Sequence, residues 1–391
     1  MNKVLIVIDN GYTGGVITSL YNYLQEASKI AECSLLAFNR ESIDQNRLPA
    51  NVKLLSAPPR ISLLGYFSRE LREQSPIKFL TKAALSVLAK LVGGKTARKF
   101  LFLGQKKTEE YDLAISYAHD NGWNSLSKGC NDYVLYLARA KKKATFVHCD
   151  YQNFGGYHPK QLAEYQKFDY IVHVSESCKN NFVKLFPETE SACVVCENLI
   201  PKDEIQKKAE DAVSYPAESC NIVSVCRLDV EKGLLRALNA FARLNSEGHG
   251  NFLWTIVGDG PARQEIQQEI SKNNLSDKVT LVGQKDNPYP YVKNADFFLL
   301  PSFHEAAPMV FGECQALGVT ILSTKTCSAE ELVKDRGLGH VCENSQEGIY
   351  SLLRDILQAE NFRQWKVTPR IHETNRVAQQ QLLAFMDKAL N

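Results

Sequence analysis

The chain of 391 residues lacks any run of eighteen apolar residues, so no spanning helix of ordinary length is expected. It contains no Asp-x-Asp and no His/Cys cluster at ligand spacing, which argues against a metal held by the protein. Internal repeats and low-complexity tracts are missing too. Net charge is scarce at +2, so any electrostatic signal must lie in how the charges are distributed. Nothing resembling a nucleic-acid recognition motif accompanies the basic residues, and no nucleic-acid partner is expected. The eleven cysteines form no disulfide framework. Residues 1–9 turn polar too soon for a signal peptide and read as a strand, so reduced thiols in a cytoplasmic protein are the expectation. Cys193 and Cys196 have redox-motif spacing, but they lie in a β-branched run that reads as a strand.

What the chain does contain is ordinary globular material, 44% hydrophobic and 23% charged, in a length that suits two domains. Apolar runs such as Val4–Ile8, Asp112–Ser116, Ala144–His148 and Tyr170–Val174 alternate with amphipathic helical stretches. Continuous apolar strands separated by helices predict parallel sheets covered on both faces. A polar, charged stretch from Pro201 to Glu218 suits a linker, and a second alternating series follows from Ile222. The expected fold class is α/β, two Rossmann-like doubly wound domains facing across a cleft. The expected bounds are 1–205 and 206–368, with a last helix in 369–391 that packs back on the first domain.

Ligands of doubly wound sheets bind beyond the carboxyl ends of strands. Strand 296–300 runs into a loop carrying Glu305, and Pro308 fits the first turn of the next helix, which carries Glu313. At ~100° per residue two carboxylates eight positions apart on one helix would not share a face. One on the loop and one on the helix can both reach a ligand, flanking a helix N-terminus that favours phosphate. Carboxylates accept well from paired sugar hydroxyls. Two surface glutamates beside a helix start are the plain alternative.

Arg227 and Lys232 follow another strand end on a loop closed by Gly233, where a forked donor and a mobile ammonium could clamp a diphosphate. Exposed charge beside Asp229 and Glu231 is the other reading. Gly14 and Gly15 open a helix after the first strand, either for close approach to a phosphate or as a tight turn. His148 ends a strand and could bond a sugar hydroxyl or handle a proton, or simply be structural. Gln284 ends another strand, where the backbone could read a base edge.

With these residues in place, the second half resembles retaining glycosyltransferases of the GT-B fold, family 4. The likeness rests on Arg227 and Lys232, Gly258–Pro261, Leu300–Ser302, the Glu305/Glu313 pair with seven residues between, and Gly318. It covers about 220–345 well, and the first half more loosely through Gly14, Gly15, His148 and the region from Val174 to Asn198. Cys226, Ala306 and Thr320 depart from the family's usual Gly, Gly and Pro.

The resemblance implies a nucleotide-sugar donor, a uridine-diphosphate hexose, with no metal or other cofactor. Glu305 would contact the sugar and Glu313 the ribose, while Arg227 and Lys232 would hold the diphosphate. Amides of Ala307, Met309 and Val310 beside Pro308, together with Gly15, would add contacts, and His148 would lie beside the transferred sugar. It further implies transfer to a hydroxyl with retained anomeric configuration, as in capsule or lipopolysaccharide assembly. A nucleotide-sugar epimerase or phosphorylase, or a silent donor-binding subunit, are the alternatives.

Residues 60–107 hold eleven basic side chains against Glu70 and Glu73, interleaved with leucines and aromatics. This pattern suits an anionic membrane surface and a lipid-linked acceptor. The expected location is cytoplasmic, peripheral at the inner face of the plasma membrane. A solvated helical face is the alternative.

Overall fold

The computed structural model describes residues 1–12, 14–153 and 155–391. The apolar runs form thirteen strands among the described residues, gathered into two all-parallel sheets. The first sheet comprises β1 (Lys3–Ile8), β2 (Glu32–Ala37), β3 (Lys53–Ser56), β4 (Glu110–Ser116), β5 (Arg139–Val147), β6 (Tyr170–His173) and β7 (Cys193–Val195), in the order 3-2-1-4-5-6-7. The second comprises β8 (Cys220–Val225), β9 (Phe252–Val257), β10 (Val279–Gly283), β11 (Phe297–Leu300), β12 (Thr320–Thr324) and β13 (Gly339–Cys342), in the order 10-9-8-11-12-13. In each sheet the chain winds outward one way, returns to the middle, and winds out the other way. The reversal falls between β1 and β4 in one sheet and between β8 and β11 in the other, where ligands of doubly wound sheets bind.

Strands β3 and β13, both short edges, escape sequence patterning. β3 is only half-buried, and β13 begins with Gly339, where a Cβ would stand 1.9 Å from the Ile321 carbonyl oxygen of β12. Central strands are legible because both faces are covered: Val4 to Val7 and Phe297 to Leu300 are almost wholly buried.

One compact unit is formed by residues 1–199 and 377–391, the other by residues 200–376. In the first, the terminal helix Arg376–Leu390 lays Phe385 against Tyr170 and Phe146, and Tyr170 donates to the Lys388 carbonyl at 2.9 Å. In the second, buried Trp254 donates to Ser224 Oγ at 3.0 Å, and that hydroxyl donates to the Leu299 carbonyl at 2.6 Å, pinning β9, β8 and β11 together. The polar stretch after Pro201 contains the helix Lys202–Lys208, whose Gln206 donates to the Ala316 carbonyl at 2.9 Å.

All eleven cysteines are free thiols among the described residues. Burial pushes Cys193 up to about 11 and Cys196 up to about 12, so neither is a thiolate at neutral pH. Among the described residues no helix is long and apolar enough to cross a membrane, and no cluster of three or more His, Cys, Asp or Glu side chains could hold a metal ion.

Candidate functional site at the carboxyl ends of β8 and β11

The loop after β8 and the loop after β11 are brought together by glycines and by one buried arginine. Gly258 takes φ +139° after β9, and a Cβ there would stand 1.9 Å from the Cys226 carbonyl oxygen. A Cβ at Gly260 would meet the Leu228 carbonyl oxygen at 2.3 Å. These two positions let the Leu228 amide donate to the Asp259 carbonyl at 3.0 Å. Gly233, at φ +64°, likewise leaves no room for a Cβ, which would lie 2.0 Å from the Pro301 carbonyl oxygen.

Arg236 then fastens the crossing. Its guanidinium donates to the carbonyls of Pro301 at 2.7 and 3.1 Å and Ser302 at 2.8 Å, and to Asn344 Oδ1 at 2.7 Å. It also stacks over the Phe303 ring. Thr324 Oγ1 donates to the same Ser302 carbonyl at 2.6 Å, and the Phe303 amide to the Glu231 carbonyl at 2.8 Å. Sequence reasoning passed over Arg236, because its partners lie 65 or more positions away and no local spacing announces them.

On this scaffold Lys232 Nζ donates to Glu305 Oε1 at 2.6 Å, and Ser302 Oγ donates to the same oxygen at 2.7 Å. Burial opposes the Lys232 charge, but the Glu305 carboxylate outweighs it and raises the lysine's pKa. Among the described residues nothing donates to Glu305 Oε2. Arg227 lies on the same loop but reaches out, with its side chain 72% exposed and a single long contact of 3.7 Å to Asp229. Its planar fork is therefore available to an anion.

Pro308 is one position off its expected place. It caps the helix Met309–Leu317 in an extended conformation instead of opening the first turn. The first N–H groups of that helix, those of Met309 and Val310 among them, have no intrahelical partner by geometry. Ala307 precedes them on the loop. Glu313 stands in the middle of the helix, half-buried and without a hydrogen-bond partner among the described residues, and burial alone pushes it up to about 7. Gln284 is exposed just beyond β10, where the strand register shifts at Gly283. The structure thus joins Lys232, Glu305 and Ser302 directly, and leaves Arg227, Glu313 and Gln284 without mutual contacts.

In the first unit, Gly14 precedes the helix Gly15–Ala27, and a Cβ at Gly14 would meet nothing within 4 Å. The protein's own packing therefore does not demand glycine there. His148 follows β5, its ring 4.8 Å from Tyr117, its amide donating to His119 Nδ1 at 3.3 Å. Its Nε2 is buried without a partner. Burial, helped by the Lys128 charge, pushes His148 down to about 3, so the ring is neutral.

Two doubly wound parallel sheets, each with its reversal at the paired strands just described, make this a GT-B fold. Residues 206–365, which contain the whole Lys232–Glu305 scaffold, match the family described as Glycosyl transferases group 1. Similar curated proteins include the N-acetylgalactosamine-N,N'-diacetylbacillosaminyl-diphospho-undecaprenol 4-alpha-N-acetylgalactosaminyltransferase of Campylobacter jejuni, 28% identical over 51% of this chain and 53% of the relative. Another is the amylovoran biosynthesis glycosyltransferase AmsK of Erwinia amylovora, 31% identical over 41% of each. The chain spans about half the length of the curated relatives it matches. Among solved structures, Anabaena Alr3699/HepE in complex with UDP and glucose is 14% identical with a TM-score of 0.68, covering 99% of this chain and 100% of that one. At that identity the likeness concerns the fold.

Proposed function

We propose that the chain is a retaining glycosyltransferase that moves a hexosyl group from a nucleotide sugar, a uridine-diphosphate hexose, to a hydroxyl of a lipid-linked or polysaccharide acceptor in surface-glycan synthesis. One observation carries the reading. Glu305 is held by Lys232 and Ser302 through Oε1, leaving Oε2 as an acceptor beside an ammonium with two N–H groups to spare. That is a socket for a sugar hydroxyl next to a phosphate.

In this reading Arg227 and Lys232 meet the diphosphate, as do the amides of Met309 and Val310, and Gly15 in the first unit. Glu313 takes the ribose diol, Gln284 the base edge, and His148 a hydroxyl of the transferred sugar. The sugar–phosphate C1–O bond breaks while a new C1–O bond to the acceptor forms on the same face. The acceptor's proton leaves on the departing diphosphate. Positive charge fixed on Arg227 and Lys232 stabilises the growing phosphate charge, so no cofactor beyond the donor is required.

The named activities of the Campylobacter and Erwinia relatives support this acceptor class. A lipid-linked acceptor also carries a location, the cytoplasmic face of the plasma membrane, met through residues 60–107. The test is a thermal-shift screen against nucleotide sugars followed by a transfer assay with the responding donor. A donor at a hundred times its Kd should add ~2.7 kcal/mol of stability. Failure of every nucleotide sugar to shift the melt would overturn the reading. Donor binding without transfer to any hydroxyl would make the chain a binding subunit.

A further inference from the structure

Eleven basic residues crowd positions 60–107 in sequence, but the fold sorts them. Arg98 is buried, bonded to Asp120 and Asp132 at 2.6 Å each. Lys95 pairs with Glu164 at 3.3 Å, and buried Lys82 donates to the Tyr66 carbonyl. These three bolt the helices Pro76–Val92 and Gly94–Phe102 to the first unit. Arg60, Arg69, Arg72, Lys78, Lys90, Lys99, Lys106 and Lys107 remain exposed.

The helix Pro76–Val92 turns Lys82 and Ala89 inward. Its opposite side is not polar, as water would require. Ile77, Leu80, Val87 and Leu91 are 79, 64, 59 and 78% exposed. At ~100° per residue these four fall within a sector of about 80°. They form one continuous seam, with Phe100 and Leu103 exposed on the next helix and its end. A soluble helix with apolar residues on both its core-facing and its outward side has a second partner to cover.

Charge decides which partner. The exposed ionic groups of residues 60–107 are the eight cations above, and against them stand Glu73, paired with Arg69 at 3.5 Å, and half-buried Glu70, bonded to Tyr12. A second copy docked seam to seam would bring these cations face to face. An anionic lipid surface would neutralise them while taking up the leucines. We infer that the seam Ile77–Leu80–Val87–Leu91 inserts into the surface of an anionic membrane, with the exposed lysines and arginines at headgroup level. The inference rests on the reading of a lipid-linked acceptor for its purpose, and not for the docking itself. Tyr12 stacks on Phe67 at 4.5 Å and bonds to Glu70, so the docked platform also holds Tyr12, two positions before Gly14.

The test is co-sedimentation of the full chain with phosphatidylcholine vesicles, with and without phosphatidylglycerol. Binding should require phosphatidylglycerol and weaken with salt. The double variant L80E/L91E, at exposed positions, should bind at least tenfold more weakly with an unchanged melting temperature. K90E/K99E should also weaken binding, each cation removed costing about fivefold. Absence of binding to phosphatidylglycerol vesicles, or L80E/L91E binding as tightly as the wild type, overturns the inference. So does a dimer in analytical ultracentrifugation that L80E/L91E dissociates. The melting shift with nucleotide sugars, measured on the same variants, reports separately on the transferase reading.

Discussion

Lys232 and Glu305, 73 positions apart, meet in a hydrogen-bonded ion pair of 2.6 Å whose acceptor oxygen is shared with Ser302. Both side chains are mostly buried, at 25 and 11% exposure. Each therefore needs the other before any ligand arrives, and either one alone would leave a poorly solvated charge. Lys232→Ala should lower transfer by about 10²–10³-fold and destabilise the second unit by roughly 1–3 kcal/mol. The double variant with Glu305→Ala should be more stable than the sum of the singles predicts, a coupling that a double-mutant cycle by urea denaturation measures.

Glu313 sets a pH dependence. Its folded pKa of about 7 lies above the ordinary carboxyl value, so the folded chain holds this proton more tightly than the unfolded one. The stability tied to that proton is fully present below pH ~4.3 and is lost as pH rises through about 7, roughly 4 kcal/mol at most. Glu313→Gln should flatten this slope in melting curves between pH 5 and 8. If the carboxylate holds the ribose diol, uridine-diphosphate affinity in the wild type should rise over the same range, and calorimetry on Glu313→Gln should show the rise gone.

Arg236 makes three hydrogen bonds to the loop after β11 and a fourth to Asn344 beyond β13, and touches no proposed ligand position. Arg236→Ala should cost about 1–3 kcal/mol, since the buried Pro301 carbonyl loses its donor and the Ser302 carbonyl keeps only Thr324. It should also weaken donor binding by loosening Ser302 and, through it, Glu305. Lysine cannot restore the fork, so Arg236→Lys should recover only part of either property.

Two glycines make opposite predictions. Gly258→Ala puts a Cβ on the Cys226 carbonyl in a backbone region that L residues rarely adopt, so the melting temperature should fall sharply. Gly14→Ala has open space and extended backbone, so the melting temperature should hold. Transfer should nonetheless drop for Gly14→Ala, because the methyl would occupy room that the fold leaves empty. Normal activity in that variant would remove Gly14 from the site.

The parts legible from residues alone were those governed by continuous burial. Strand β11 and the helix Met309–Leu317 follow from an apolar run and a proline, although that proline proves to be the cap. Lys232 and Glu305 could be picked out singly by their places after strand ends, but their pairing depends on the crossing of two distant loops. Arg236 could not be picked out at all, since on its helix it looks like any amphipathic cation. Residues 60–107 show the same gap. Counting charge there cannot separate Arg98, sunk among carboxylates, from Lys99, its exposed neighbour.

The terminal helix has a consequence for how the molecule is made. Phe385 and Met386 complete the core that Tyr23, Phe146 and Tyr170 begin, yet they leave the ribosome far later than those three. Between them the chain must synthesise all of residues 200–376, a continuous unit able to close on itself. The later unit can therefore finish first, while the earlier one waits with an uncovered aromatic face. A nascent chain stopped before residue 377 should engage chaperones through that face, and release them once the helix is added.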